Sequence, residues 1–289
     1  DHNTAVGYQA LDANTTGTKN TTLGSKALST NITSNYNTGI GYQALRDNTA
    51  AGNTGVGAYA LMGNTTGTQN VAVGSDSMIT SATGDYNTAI GYHSLYFNAA
   101  SDNNTAIGWR AMRLNTTGHS NVAVGSNAGY AITTGINNTV MGYQAGDAIT
   151  TGTLNTAVGY QALSASTTVS SNTGVGAYAL SQNTSGTSNT GVGEQALYAN
   201  TTGIMNAAFG FRALDANTTG DGNTGLGDEA GSSITTGDEN TFVGKQAGYA
   251  LTTGSYNIGI GSFALDAATT ISGSTAVGYK ALTANTSGD

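Results

Sequence analysis

Several acidic side chains of this chain are 17 residues apart. A chain wound into coils of 17 residues would stack these side chains on one another. Asp221 and Asp238 occupy the same position in successive repeats, and Asp228 and Glu239 lie close to them in the chain. Adjacent carboxylates repel one another unless solvent or a cation screens them, and calcium prefers oxygen ligands. The pattern therefore supports either a calcium site formed by Asp221, Asp228, Asp238 and Glu239 or a solvated acidic edge. The calcium-binding nonapeptide G-G-x-G-x-D is absent, which favours the acidic edge.

Aromatic side chains show the same spacing. Tyr92 and Trp109 are one repeat apart, and so are Tyr143 and Tyr160. Exposed rings stacked on adjacent coils could contact the faces of sugars, whereas the same rings could instead close a corner of the coil or contact another copy of the chain. We name these four residues as candidate glycan contacts, with a purely structural ladder as the alternative.

Catalytic residue combinations are scarce. His2, His93 and His119 lie far apart in the repeat pattern and cannot ligate one metal ion. No nucleophile with a base and an acid stands out from the serine and threonine background, and the glycine-rich strings carry no phosphate-loop lysine. We expect no enzymatic activity and no cofactor, apart from the calcium hypothesis above.

The composition narrows the choice of partners. The 289 residues carry a net charge of −8, which opposes the phosphate neutralisation that nucleic-acid binding needs. The chain has no cysteine, so it has neither disulfides nor thiolate metal sites. No apolar run approaches membrane-spanning length, and we expect no membrane insertion by this segment. The regular apolar positions argue against disorder.

The candidate residues sit within a 17-residue tandem repeat that begins at each Asn-x-x-apolar-Gly. Such a short, strict period is typical of a solenoid, in which each unit buries its apolar face against its neighbours. We number repeat positions from the asparagine and treat residues 1–289 as one solenoid domain. The 17 copies start at residues 3, 20, 37, 53, 70, 87, 104, 121, 138, 155, 172, 189, 206, 223, 240, 257 and 274.

The first five positions predict a β-strand. Thr4 and Val6 alternate with small or polar residues, and β-branched residues at every second position are typical of strands. Position 5 is glycine in every copy, as in Gly7, which suits a corner or a close backbone approach. We therefore predict an all-β, parallel β-solenoid whose coil contains a strand, a corner, a short second strand and a turn, with positions 2, 4, 8 and 9 buried.

Two other positions vary together. Position 9 is Leu or Met in 13 copies and glycine in four, and in those four copies position 12 becomes aliphatic. Close-packed interiors resist both voids and overfilling, so we infer that the two positions fill one volume. The four glycine and aliphatic pairs are Gly129 with Ile132, Gly146 with Ile149, Gly231 with Ile234 and Gly248 with Leu251.

Position 1 is asparagine in 16 of the 17 copies. Asparagines one coil apart can hydrogen-bond along the stack, as in cross-β ladders. The alternative is that asparagine simply suits the turn before the strand.

The segments NVAVGSDS (70–77) and NVAVGSNA (121–128) resemble the head repeats of YadA-like trimeric autotransporter adhesins. The repeats are also similar to those of bacteriophage tail fibres. The resemblance implies a left-handed parallel β-roll, a homotrimer, and a location outside the cell, on the cell surface or on a virion. It further implies contact with a glycan or receptor on a host or neighbouring cell. The adhesin unit is shorter than the repeat of this chain, so the second half of this coil is an expanded turn or a third side.

The sequence therefore predicts a structural or adhesive fibre segment that acts as a rigid stalk or head and contacts a cell surface. The alternative is a self-assembling extracellular filament subunit, because the chain begins and ends within the repeat pattern and would leave open strand edges.

Overall fold

The structure is a computed structural model that describes residues 2–284. These residues contain 17 strands of three residues each and no helix. Every strand occupies positions 2 to 4 of a coil, immediately after the residue of position 1.

The chain divides into two compact units, Asp1–Met141 and Gly142–Asp289. The prediction of one domain over residues 1–289 stays a prediction. The first unit contains β1 (Thr4–Val6), β2 (Thr21–Leu23), β3 (Thr38–Ile40), β4 (Thr54–Val56), β5 (Val71–Val73), β6 (Thr88–Ile90), β7 (Thr105–Ile107), β8 (Val122–Val124) and β9 (Thr139–Met141). The second contains β10 (Thr156–Val158), β11 (Thr173–Val175), β12 (Thr190–Val192), β13 (Ala207–Phe209), β14 (Thr224–Leu226), β15 (Thr241–Val243), β16 (Ile258–Ile260) and β17 (Thr275–Val277).

Within each unit every strand pairs in parallel with the strand of the next coil. The register joins equal repeat positions, so that Thr88 pairs with Thr105 and Thr156 with Thr173. Thr38 still pairs with Thr54, although that copy of the repeat is shorter than the others. The predicted all-β, parallel β-solenoid with one coil per repeat is confirmed.

Every strand except β1 buries its middle residue, at position 3. Ala72 and Ala89 are fully buried, whereas Val6 at position 4 is exposed, so our prediction that positions 2 and 4 face the core is wrong. The alternation was correct but its phase was not. The reason is that position 3 faces the leucine of the preceding coil, and a Cβ on Gly55 would lie only 3.2 Å from Leu45 Cγ. Only small residues fit beside that leucine, whereas the aliphatic residues of position 4 face outward.

The predicted second strand is absent from the described coils, and successive turns replace it. In the first coil Ala10 donates its backbone N–H to the carbonyl of Gly7 at 3.3 Å, and Asn14 donates to Leu11 at 3.3 Å. Gln9, the third residue of the first turn, has a φ of 52°, the left-handed conformation that such a turn requires there. Leu11, which begins the second turn, is also left-handed, with a φ of 56°. The turns carry position 9 into the core.

The glycine of position 5 lets successive coils stack closely. Gly7 has φ of 134°, and a Cβ built on it would lie 2.6 Å from the carbonyl oxygen of Gly24 in the next coil. Both the conformation and the contact exclude any side chain. This accounts for a glycine at this position in all 17 copies.

The inferred exchange between positions 9 and 12 is confirmed. A Cβ on Gly129 would lie 2.8 Å from Ile132 Cδ1, and Ile132 is fully buried. Position 3 helps to fill the same volume. A Cβ on Gly129 would also lie 3.0 Å from Val140 Cγ2, and a Cβ on Gly231 would lie 2.8 Å from Phe242 Cδ2. Glycine adopts the left-handed conformation without the steric cost that leucine bears there.

The predicted asparagine column at position 1 is confirmed. Asn20 donates its backbone N–H to Asn3 Oδ1 at 2.9 Å, and its own Nδ2 donates to the carbonyl of Ser34, the far end of the same coil, at 2.9 Å. One side chain thus closes its coil and holds the next one. The pattern recurs in both units, and Ser274 donates the last of these backbone bonds to Asn257 Oδ1 at 3.0 Å.

A second asparagine column, at position 12, was not predicted. Asn115 donates Nδ2 to Asn98 Oδ1 at 2.9 Å, and Asn200 donates to Asn183 at 3.0 Å. The column stops where the next coil lacks asparagine. At one such break Asn64 Oδ1 is buried without a hydrogen bond, opposite the equally unbonded hydroxyl of Ser81.

The break at Ser81 predicts a stabilising substitution. Ser81→Asn should supply an Nδ2 donor to Asn64 Oδ1 and an Oδ1 acceptor facing Asn98. We expect the free energy of unfolding to rise by about 1 kcal/mol, the net value of a buried hydrogen bond. Urea unfolding followed by circular dichroism measures the change.

Ile132→Asn provides the contrasting variant. It also places asparagine at position 12, but beside Gly129, where the isoleucine fills the volume left by the missing leucine. The loss of apolar burial, about 2–5 kcal/mol, exceeds the gain of one hydrogen bond. Equal effects of the two substitutions would contradict the assignment of positions 9 and 12 to one volume.

Candidate functional site

The outward face of the strands carries an apolar row at position 4, beside a position 2 that is Thr in 13 of the 17 coils. Position 4 is occupied in every coil by Val, Ile, Leu, Met or Phe, and none of these side chains is buried. Eight are more than a third exposed, from 38% for Ile90 to 67% for Val277. No charged residue occupies positions 2 to 4 of any coil. A folded chain rarely exposes such a continuous apolar row unless another surface covers it.

The candidate glycan contacts are all half-exposed, but their surroundings differ. Tyr143 and Tyr160 stack with ring centroids 5.5 Å apart and an angle of 12° between the ring planes. Tyr92 instead stacks on His93, at 3.8 Å and 18°, and Trp109 lies under the guanidinium of Arg110, at 4.2 Å. No ring contact joins Tyr92 to Trp109 in residues 2–284. The stacking predicted from the repeat spacing is thus found for one of the two pairs.

The acidic residues are distributed among different partners. Asp238 Oδ1 accepts the backbone N–H of Asp221 at 2.8 Å, and Asp221 Oδ1 accepts the N–H of Ile204 at 2.8 Å. Asp228 lies 3.4 Å from Lys245 Nζ. The described residues contain no group of three or more His, Cys, Asp or Glu side chains that could hold a metal ion. The arrangement of Asp221, Asp228, Asp238 and Glu239 therefore gives the calcium hypothesis no geometric support.

The three histidines lie in different surroundings. His2 and His119 are exposed, whereas His93 is half-buried and its Nε2 lies 3.9 Å from Asp76 Oδ2. Burial lowers the pKa of His93, and the Arg113 guanidinium lowers it further, against the opposing effect of Asp76.

His93 belongs to a cluster that we did not predict. The rings of His93 and Tyr96 meet edge to face at 4.7 Å, Arg113 lies 5.2 Å from the ring centroid of Tyr96, and Arg113 Nη1 donates to Tyr130 Oη at 3.2 Å. We call this cluster the arginine–aromatic patch. Its members are Tyr92, His93, Tyr96, Phe97, Trp109, Arg110, Arg113 and Tyr130.

The patch could have been found in the sequence. His93 and Arg110 are one repeat apart, and Tyr96, Arg113 and Tyr130 follow one another at the same interval. The spacing rule that we applied to acids and to rings also brings these bases together.

The two arginines of the patch differ in their partners from the other two arginines of the chain. Of the four arginines, Arg46 pairs with Asp47 at 2.6 Å and Arg212 with Asp215 at 3.2 Å. Neither Arg110 nor Arg113 forms an ion pair within the described residues. Their Nε atoms are buried without a hydrogen-bond partner, as is Nδ1 of His93.

Comparisons with known proteins identify no relative. No protein-family model, no curated protein and no solved structure matches this chain. Between residues 2 and 284 the structure has no helix of the length and apolarity that a membrane crossing requires.

Asp147 predicts a pH-dependent effect on stability. Burial raises the pKa of this carboxyl group, against the weaker opposing effect of backbone hydrogen bonds from Asp147 and Ala148. Because the folded chain binds this proton more tightly than the unfolded chain, the contribution of Asp147 to stability is greatest at low pH and declines as pH rises through the raised pKa.

Asp147→Asn removes the buried charge, so it should raise the Tm at pH 7 by about one or two degrees, on the order of half a kcal/mol. The difference from the native chain should vanish near pH 3, where Asp147 is protonated. Asp12→Asn, at the same repeat position but exposed, is the control and should change the Tm little. A higher Tm of Asp147→Asn that persists unchanged at pH 3 would contradict this interpretation.

Proposed function

We propose that this chain is a structural or adhesive segment of a homotrimeric fibre, exposed outside the cell or on a virion, where it acts as a rigid stalk or head that contacts a cell surface. The observation that carries the proposal is the apolar row of position 4. The occupant that we propose for this row is another copy of the same chain.

Repeat geometry favours a second copy over an unrelated partner. The outward side chains recur once per coil, at about 4.8 Å, the spacing of paired strands. Another copy carries the same spacing, so each aliphatic side chain of one chain meets its equivalent in the next throughout a unit. The absence of charge at positions 2 to 4 removes any repulsion between the identical surfaces.

The thin core adds to this argument. Within a described coil the residues of positions 1, 3, 8, 9, 12 and 15 are regularly buried, and those of positions 3, 8 and 15 are mostly Ala, Gly or Ser. A solenoid with so little apolar volume gains stability when a further face is covered. The number of three copies rests on the resemblance to the adhesin and tail-fibre repeats.

The hydrogen bonds and close contacts between successive coils favour a rigid stalk. The position-1 asparagine column and the close glycine contacts tie each coil to the next within a unit, and the position-12 asparagines add bonds where they are consecutive. A stack held at several points of a coil resists bending and proteolysis. This supports the proposed rigid spacer role, with adhesion added by exposed side chains.

The test is the mass of the chain in solution. Size-exclusion chromatography with light scattering should give three times the chain mass of 28.8 kDa. Ile90→Lys with Leu226→Lys places charges in the apolar row and should shift the mass to that of one chain, since two buried ammonium groups would face apolar neighbours. Tyr256→Lys, at an exposed site at position 17, is the matched control and should leave the trimer intact.

A native chain that stays monomeric at high micromolar concentration would overturn the homotrimer. Open-ended polymers whose mass grows with concentration would instead favour the alternative filament subunit. Circular dichroism of each variant checks that the coils are still folded.

A further inference from the structure

We propose that the arginine–aromatic patch binds an acidic saccharide, a pyranose that carries a carboxylate or sulfate group. This inference gives the proposed adhesive segment its ligand class and rests on that role for its biological meaning. The site itself lies within the first unit of a single chain.

The first step is the unbalanced charge. Arg110 and Arg113 occupy one coil, and His93 lies one repeat before Arg110, with its ring 4.7 Å from the ring of Tyr96 on which Arg113 lies. Burial and both guanidinium groups lower the pKa of His93, so the positive charge of the patch belongs to the two arginines. Asp76 is the only acid that contacts these three basic residues in the described chain, and it lies beside His93. Like charges held together without counter-charges are unfavourable, and an external anion relieves that repulsion.

The second step is the fixed geometry of the two guanidinium groups. Arg110 lies over Trp109 at 4.2 Å, and Arg113 lies 5.2 Å from Tyr96 and 5.5 Å from Phe97. Stacking on rings holds a planar guanidinium in place, and its remaining N–H groups can then form paired bonds to a carboxylate or sulfate. Little side-chain entropy is lost when the anion binds, because the side chains are already ordered.

The third step concerns the adjoining rings. Tyr92 is 44% exposed and Trp109 is 43% exposed, although one face of each ring is covered by His93 or Arg110. The uncovered surfaces are apolar and flat, which suits the C–H face of a pyranose ring. An anion beside such a ring surface is the chemistry of an acidic sugar.

The net charge of the chain favours a saccharide with few acidic groups over a polyanion as the ligand. A nucleic acid would bring many phosphates towards a chain of net charge −8 and would meet repulsion outside the patch. A saccharide with one or two acidic groups matches the small number of unpaired bases.

The experiment uses isothermal titration of the full chain with three probes, sialyllactose (carboxylated), sulfated lactose and plain lactose. We expect at least one acidic probe to bind at least ten times more tightly than lactose, with an affinity that falls as sodium chloride is raised. Arg110→Gln and Arg113→Gln should each reduce that affinity at least tenfold, and Trp109→Ser should also reduce it. Arg46→Gln removes an arginine that is paired with Asp47 and should leave binding unchanged.

Several results would overturn the inference. These are failure of both acidic probes to bind, binding of lactose as tight as that of the acidic probes, or affinities unaffected by Arg110→Gln and Arg113→Gln. Sodium sulfate alone binding as tightly as the acidic probes would show a simple anion site and overturn the saccharide assignment. Arg110→Lys covers the case in which Arg110→Gln unfolds, since it keeps the charge but loses the stacked fork and should still weaken binding.

Light scattering on the same samples separates this inference from the proposed fibre. A trimer that binds neither acidic probe overturns the saccharide site and leaves the fibre standing. A monomer that binds an acidic probe through Arg110 overturns the trimer and leaves the site standing.

Discussion

The coils depend on two hydrogen bonds that the side chain of the position-1 asparagine forms with backbone groups, one in its own coil and one in the next coil. Asn20 shows both halves, because its Nδ2 closes its own coil at Ser34 and the Oδ1 of Asn3 holds the N–H of Asn20 in the next coil. An amide can do this because it carries a donor and an acceptor on one short side chain. Its complete burial would be costly if either half were left unpaired.

The remaining features of the coil adapt to that stacking. Coils tied at the asparagine approach so closely at position 5 that Gly7 has no room for a Cβ, and the turns that follow force Leu11 into a left-handed conformation. Leucine tolerates this because it fills the core, and where glycine replaces it, as at Gly129, Ile132 supplies the missing volume. A coil therefore fills its core either with a leucine in the left-handed conformation at position 9 or with an aliphatic residue at position 12 beside a glycine.

The same stacking also determines which side chains are neighbours on the surface. Any side chain that recurs at one repeat position becomes a neighbour of its counterpart, whether it is an aliphatic residue of position 4, the paired rings of Tyr143 and Tyr160, or the bases around Arg110. The repeat positions that stabilise the fold are nearly uniform, whereas the exposed positions vary from coil to coil. A solenoid built in this way can change its exposed side chains without any change in its framework.

The sequence by itself determined the period, the parallel register, the corner glycine, the asparagine column and the exchange between positions 9 and 12, because each of these is a constraint that every coil repeats. It did not determine which strand face is inward, since alternation is equal for both phases and only the contact of position 3 with the preceding leucine, as between Gly55 and Leu45, decides it. Nor did it reveal the absence of a second strand, because side chains of several types adopt the left-handed conformation of the turns, as Gln9 and Leu11 do. The position-12 asparagines recur in the sequence, but only the folded turns bring them into contact across coils, as with Asn98 and Asn115. The arginine–aromatic patch was visible only as a spacing, and the tertiary structure alone showed that Arg110 and Arg113 lack acidic partners among the described residues while Arg46 and Arg212 have them. Pairing of charges depends on the side-chain conformation that each arginine adopts, which a one-dimensional pattern does not contain.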